Sequence, residues 1–255
     1  MALGACLKYG ISGASIKKLE MIIDKLAKFL TFILFLVTTN ISFAANPVVL
    51  VLGDSLSAAY GLPESSGWVH LLRTRLSANS CPYDVVNASI SGDTTRGGLT
   101  RIPGALKQFS PEIVIVELGG NDALQGLPLQ STFNNLDMII NHIKKTGAKP
   151  IIVGVDIPPN YGPTYTKKFS KIFSDISTKQ SIPLVPSIFN GFGYNRQLFQ
   201  ADGIHPIASA QPMMMETVWK SLEPLIQKAE ANSPTRDKLY PVTEQPNKPC
   251  SKTIS

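Results

Sequence analysis

A chain of 255 residues with 44% apolar residues can bury a sizeable core, and 24 basic against 18 acidic residues give it a formal charge of +6. Much of that excess sits in the first 44 residues; the remainder holds 19 basic and 16 acidic side chains, close to balance. Past that point no Lys/Arg-rich run suggests a nucleic-acid footprint, and no Cys-x-x-Cys or His/Cys cluster suggests a metal.

Residues 1–45 read as an extension followed by a secretory signal. Lys25 and Lys28 precede the apolar run Phe29 to Val37, then polar Thr38-Thr-Asn40, then Ser42-Phe-Ala44, whose small residues suit a signal peptidase. The run falls short of the roughly 20 residues a membrane-spanning helix needs, so an uncleaved anchor is the weaker reading. Residues 1–20 are a long preamble for a signal peptide, and Met21 is the expected start. Cys6 sits in lipobox-like letters without an apolar segment before it. Cleavage after Ala44 or Ala45 would release a domain over 46–230 and a Pro-, Ser- and Lys-rich tail over 231–255. Cys81 and Cys250 would remain, either paired or as two free thiols. The expected location is the periplasm or the medium, with no stable membrane span after cleavage, and the expected state a monomer.

Val48 to Leu52 is a continuous run of mostly β-branched residues, which predicts a strand buried on both faces of a parallel sheet. Gly53 breaks it, and Asp54 and Ser55 follow. Ser66 to Ala78 has Trp68, Leu71, Leu72 and Leu76 at helical spacing. Tyr83 to Val86 predicts a second strand, ending in Asn87-Ala-Ser-Ile-Ser-Gly-Asp93. A helix around Leu99 to Phe109, perturbed by Pro103, leads to a third strand, Glu112 to Leu118, which opens into Gly119-Gly-Asn-Asp122. Phe133 to Lys145 predicts a strong amphipathic helix, Pro150 to Val155 a fourth strand, and Ile157 to Pro163 a Pro-rich loop. A helix over about Lys167 to Lys179, a short strand at Ile182 to Val185, a loop from Phe199 to Ile207 and a helix from about Ala208 to Ala229 complete the chain. Five alternations of strand and helix predict a three-layer α/β/α sandwich around a parallel five-stranded sheet, flavodoxin-like in its order 2-1-3-4-5.

Four polar clusters fall at strand ends or in the late loop: Gly53-Asp-Ser55, Ser91-Gly-Asp93, Gly119-Gly-Asn-Asp122 and Asp202-Gly-Ile-His-Pro206. Each alone could be turn chemistry, but together they suggest a built site at one sheet edge. A serine nucleophile needs a base, and His70 and His142 lie within amphipathic helices. That leaves His205, three residues after Asp202; the spacing suits a carboxylate that orients an imidazole, and equally a polar loop closed by proline. The N–H groups of Ser55 and Gly92 and the amide of Asn121 are candidate oxyanion donors, with turn geometry as the alternative for the last two. No Gly-x-Ser-x-Gly elbow occurs, so the usual α/β-hydrolase arrangement is not supported.

Gly53-Asp-Ser-Leu56, Gly92, Gly119-x-Asn121-Asp122 and Asp202-x-x-His205 resemble the four blocks of the GDSL, or SGNH, hydrolases, over about Pro47 to Leu225. Val86 to Thr94, Val116 to Asp122, Pro159-Asn-Tyr-Gly162 and Asp202 to Pro206 are similar to one subgroup, periplasmic enzymes described as thioesterase, protease and lysophospholipase, with arylesterase relatives. The resemblance implies Ser55 as nucleophile, His205 as base, Asp202 as its orienting carboxylate, and Ser55, Gly92 and Asn121 as the oxyanion hole. It implies no metal or cofactor, and a small acyl ester, thioester or lysophospholipid as substrate. Asp54, Leu124, Leu127, Asn160 and Tyr161 are the expected substrate contacts, with Ala123 to Pro128 as a loop that moves when acyl chains bind. A carbohydrate acetylesterase and a lipid-binding module without catalysis are the rival expectations.

Overall fold

The computed structural model describes residues 17, 18, 20–29, 46–79, 81 and 83–231. Met1–Ala45 and Asn46–Ser255 separate as two compact units. In the first, residues 20–29 are helical, and Lys28 Nζ donates to Asp24 Oδ2 one turn back at 2.7 Å. Most of the expected signal segment, Cys6, Cys250 and the tail from residue 232 lie outside the described residues. Among the described residues no helix is long and apolar enough to cross a membrane.

The second unit is built on five parallel strands: β1 (Val48–Gly53), β2 (Asp84–Asn87), β3 (Ile113–Glu117), β4 (Lys149–Val153) and β5 (Leu184–Val185). Their spatial order is β2-β1-β3-β4-β5, so the chain reverses its direction of travel across the sheet between β1 and β3. Such a switch point opens a crevice at the carboxyl edge. Val49 to Leu52 and Ile113 to Val116 are fully buried, which is why these strands carry no polar alternation.

The helices are α1 (Trp68–Ala78), α2 (Thr95–Phe109), α3 (Gly120–Leu124), α4 (Leu129–Lys145), α5 (Pro163–Gln180) and α6 (Gln211–Ala231). One group, α2, α4 and α5, packs side by side, and α1 packs with α6, giving helices on both sides of the sheet. The apolar stripe of α4, Leu136, Ile139, Ile140 and Ile143, is wholly buried, each side chain contributing about 1.5–3 kcal/mol. The α1–α6 pair is pinned by polar contacts as well. Trp68 N–H donates to Gln211 Oε1 at 3.0 Å, and the Arg75 guanidinium pairs with Glu216 while covering the Trp219 ring.

The strands lie where expected, but three helices differ from expectation. The second begins at Thr95 rather than near Leu99, because Thr94 caps it by accepting from Gly97 N–H. The fifth begins at Pro163, four residues early, proline occupying a first-turn position where no N–H is needed. The short α3 was not expected at all. Cys81 is buried and disulfide-bonded.

Candidate active site

The nucleophile turn follows from the end of β1. Gly53 has no room for a side chain, since a Cβ there would lie 2.7 Å from Ser57 and 2.9 Å from Ser89 Oγ. The chain then coils: Ala58 N–H donates to Asp54 O and Tyr60 N–H to Ser55 O. Asp54 Oδ1 accepts from Leu56 N–H at 3.0 Å, which closes the turn around Ser55. Ser55 is 9% exposed, its hydroxyl facing a cavity of about 1640 Å³ at the carboxyl edge of the sheet.

A late hairpin brings the base from the other end of the chain. Phe199 and Pro206 form an antiparallel bridge, and Gln200 N–H donates to His205 O at 2.7 Å. Within it Gly203 adopts φ 69°, a left-handed bend that curls Asp202 back onto His205. Asp202 Oδ1 accepts from the N–H groups of Ile204 and His205, at 2.9 and 3.0 Å. Asp202 Oδ2 meets His205 Nδ1 at 2.7 Å, and His205 Nε2 lies 2.8 Å from Ser55 Oγ. A carboxylate at Nδ1 assigns the proton there, which leaves the Nε2 lone pair for the serine hydroxyl. Partial burial alone would raise the Asp202 carboxyl; the hydrogen bonds from the His205 ring and the two N–H groups, with the imidazole's charge, outweigh it and hold the carboxyl below its usual range. Tyr60 lies against the imidazole with ring centroids 4.5 Å apart, and its carbonyl accepts from Gln200 Nε2.

Two further loops supply donors. Gly92 adopts φ 80°, a conformation that disfavours any side chain although nothing crowds the position. Among the described residues neither Ser55 N–H nor Gly92 N–H has a protein acceptor. The Gly92 loop is stitched down by Arg101 of α2, which donates to Asp93 Oδ2 at 2.7 Å, to Gly53 O at 3.1 Å and to Ala88 O. Beyond β3, Gly119 at φ 120° turns the chain into α3, whose second residue is Asn121. Asn121 Nδ2 donates to Asp54 Oδ2 at 3.0 Å and to Asp93 O at 2.9 Å, so both amide hydrogens are engaged before any substrate arrives. Asp122 anchors α3 from below, accepting from Thr95 N–H and the hydroxyls of Thr95 and Thr132.

Ser55, His205, Gly92, Asn121, Asp54 and Leu124 all border the cavity. Asp202 stands behind His205. Leu127, Asn160 and Tyr161 do not line it; Tyr161 instead donates its hydroxyl to Leu124 O at 3.1 Å, propping α3 from outside. Asp54 is 2% exposed and bonded inward to Leu56 and Asn121, which makes it a support of the site rather than a substrate contact. Burial pushes its carboxyl up to about 7, aided by the charges of Asp93 and Asp122 against the hydrogen bonds from Leu56 and Asn121. Arg101 and Tyr60 were not singled out from sequence; their roles depend on contacts across 48 and 145 residues. Among the described residues no cluster of His, Cys, Asp and Glu could hold a metal ion.

A Ser–His–carboxylate chain with two free N–H groups beside the hydroxyl can carry out nucleophilic acyl transfer. Comparison with known proteins agrees. The family model described as GDSL-like lipase/acylhydrolase matches residues 51–211. Esterase TesA of Pseudomonas aeruginosa is 45% identical over 183 residues, 72% of this chain and 91% of the relative. Thioesterase 1/protease 1/lysophospholipase L1 of Escherichia coli K12 is 41% identical over 193 residues, covering 76% and 91%. Among solved structures, the psychrotrophic esterase EstA from a Pseudoalteromonas species, inhibited by monoethylphosphonate, superimposes with a TM-score of 0.67 at 36% identity, over 71% of this chain and 98% of that one.

Proposed function

The chain belongs to the GDSL-like lipase/acylhydrolase family, and from that premise we propose that it hydrolyses carboxylic esters and thioesters, lysophospholipids among them, through an acyl-enzyme on Ser55. The observation that carries the reading is the continuous chain from Asp202 through His205 to Ser55 Oγ, each link under 3 Å. His205 Nε2 takes the hydroxyl proton as Ser55 Oγ bonds to the acyl carbon, and the carbonyl electron pair moves onto oxygen. Ser55 N–H and Gly92 N–H stabilise that oxyanion, joined by Asn121 once one of its amide hydrogens is shared with it; one such donor is worth about 3 kcal/mol. Collapse breaks the bond to the alcohol or thiol, which leaves with the proton from Nε2. Water then attacks the acyl-enzyme, His205 takes its proton, and Ser55 recovers it as the acid departs.

The acyl chain would run along Leu124, Ile157 and Pro158, an apolar wall of the cavity. Its volume exceeds the roughly 300–1,000 Å³ usual for small-ligand sites, which supports chains longer than acetyl. The protein would act as a monomer after export and cleavage near Ala44 or Ala45; the layout of residues 25–45 supports export, and mass spectrometry of the secreted form would find its N-terminus there.

The test is hydrolysis of p-nitrophenyl esters over a series of acyl lengths, with Ser55→Ala as control. Activity rising towards medium or long chains and abolished in Ser55→Ala, with the melting temperature kept, is the expected result. Activity confined to acetate would replace this reading with a carbohydrate acetylesterase. No activity above the control would leave a lipid-binding module.

A further inference from the structure

A carboxyl group closes the fully buried strand β3, and the acyl-transfer chemistry above does not use it. Glu117 has no exposed surface, and the parallel register sets it beside Gly53, the residue that starts the nucleophile turn. Its Oε2 accepts from the hydroxyl of Ser57 at 2.7 Å, and the Asp54 N–H faces the same carboxyl. Ser57 is itself 1% exposed, and its carbonyl is held by Asn87 Nδ2 at 2.8 Å. Glu117 therefore grips the chain on both sides of Ser55. We propose that Glu117 is a positioning residue for the nucleophile, fixing residues 54–57 from beneath so that Ser55 Oγ stays aligned with His205 and Ser55 N–H stays aimed into the cavity.

The grip works through a neutral acid. Glu117 Oε1 is buried with no hydrogen-bond partner, a state that a carboxylate does not sustain but a protonated carboxyl tolerates. The charged group facing it is Asp54, and around Asp54 stand Asp93 and Asp122. The one cation bonded into this cluster, Arg101, is engaged with Asp93 and backbone carbonyls. Burial, reinforced by Asp54, pushes the Glu117 carboxyl well above its ordinary value despite the Ser57 and Asp54 hydrogen bonds. A neutral anchor also keeps a second negative charge away from the place where an oxyanion would form.

This inference rests on Ser55 being the nucleophile, and the experiment separates the two. Wild type, Ser55→Ala, Glu117→Ala, Glu117→Gln, Ser57→Ala and the Glu117→Ala/Ser57→Ala double variant are assayed on p-nitrophenyl butyrate, with thermal unfolding of each. Misplacing a nucleophile by about 1 Å costs on the order of 10²-fold. Glu117→Ala and Ser57→Ala should each lose kcat on that scale with KM within about twofold of wild type, and the double variant should be no worse than either single one, because both remove the same contact. Glu117→Gln, neutral and of the same shape, should recover most of the loss, and its pH profile of kcat/KM should superimpose on that of wild type. Losses that multiply in the double variant, a Glu117→Gln enzyme as slow as Glu117→Ala, or a shifted pH profile would overturn the proposal. Should Glu117→Ala not fold, full kcat in Ser57→Ala overturns it alone. Hydrolysis by Ser55→Ala would take down both readings.

Discussion

At the residue scale the least protected member of the site is Asp202, whose side chain is 37% exposed while its partner His205 is 17% exposed. Its value lies in geometry. One oxygen accepts two backbone N–H groups and the other holds the imidazole, so a single carboxylate fixes both the loop and the ring tautomer. Replacing it with Asn keeps the shape and removes the acceptor that holds the proton on Nδ1. Asp202→Asn should therefore lower kcat by a factor on the order of 10³–10⁴, with KM little changed. Steady-state kinetics on a p-nitrophenyl ester checks this; a loss below about tenfold would mean that Tyr60 and the loop backbone orient His205 without the carboxylate. The stability cost should be small, since a half-exposed ion pair contributes about 0–1 kcal/mol.

At the element scale the site depends on a five-residue helix that has little stability of its own. The short α3 carries Asn121 at its start and Leu124 at its end, and it is held by side chains from elsewhere: Asp122 inward to Thr95 and Thr132, and Tyr161 from outside to Leu124 O. Tyr161→Phe removes only that last hydrogen bond, worth about 1 kcal/mol. The acyl wall at Leu124 should then loosen, so KM for octanoyl and longer esters should rise several-fold while acetate kinetics hold. Equal effects on both chain lengths would place Tyr161 in general stability instead. Such an element could not be read from the sequence, because five residues carry no helical periodicity. The strands were legible, since full burial writes itself as unbroken apolar runs. Helix starts were hidden by residues that look like breakers. Gly97 and Gly98 suggest a loop, yet a Cβ on Gly98 would sit 2.3 Å from Leu118, so packing demands glycine inside α2. Ser55, Gly92, Asn121 and His205 could be named beforehand because polar letters at strand ends point to one edge. Arg101 and Glu117 could not. Their meaning lies in the register of Gly53 beside Glu117 and in the reach of a guanidinium to Gly53 O, neither of which spacing encodes.

At the scale of the whole molecule, burying carboxyls beneath the nucleophile sets how stability varies with pH. Asp54 rises from 3.8 to about 7 on folding and Glu117 is also raised, so over this range the folded chain binds more protons than the unfolded one. Stability from these groups is fully present below their unfolded values and is lost as pH climbs through the folded ones. Asp202 and Asp137 act in the opposite sense. Burial would raise both, but for Asp202 the hydrogen bonds from His205, and for Asp137 those from Gln180 and Lys179, leave them lowered. Their contribution is present above about 3.8 and lost in acid, and it is small because both are largely solvated. The two sets place maximal stability on the acid side of neutrality, with a fall on the order of a few kcal/mol towards alkaline pH. Urea unfolding should therefore show a higher midpoint at pH 5.5 than at pH 8.5. Glu117→Gln cannot ionise, so it should narrow that gap from the alkaline side while changing little at pH 5.5. A wild-type midpoint that rises towards pH 8.5 would mean the buried carboxyls ionise without cost, and a gap unaltered by Glu117→Gln would assign the whole slope to Asp54.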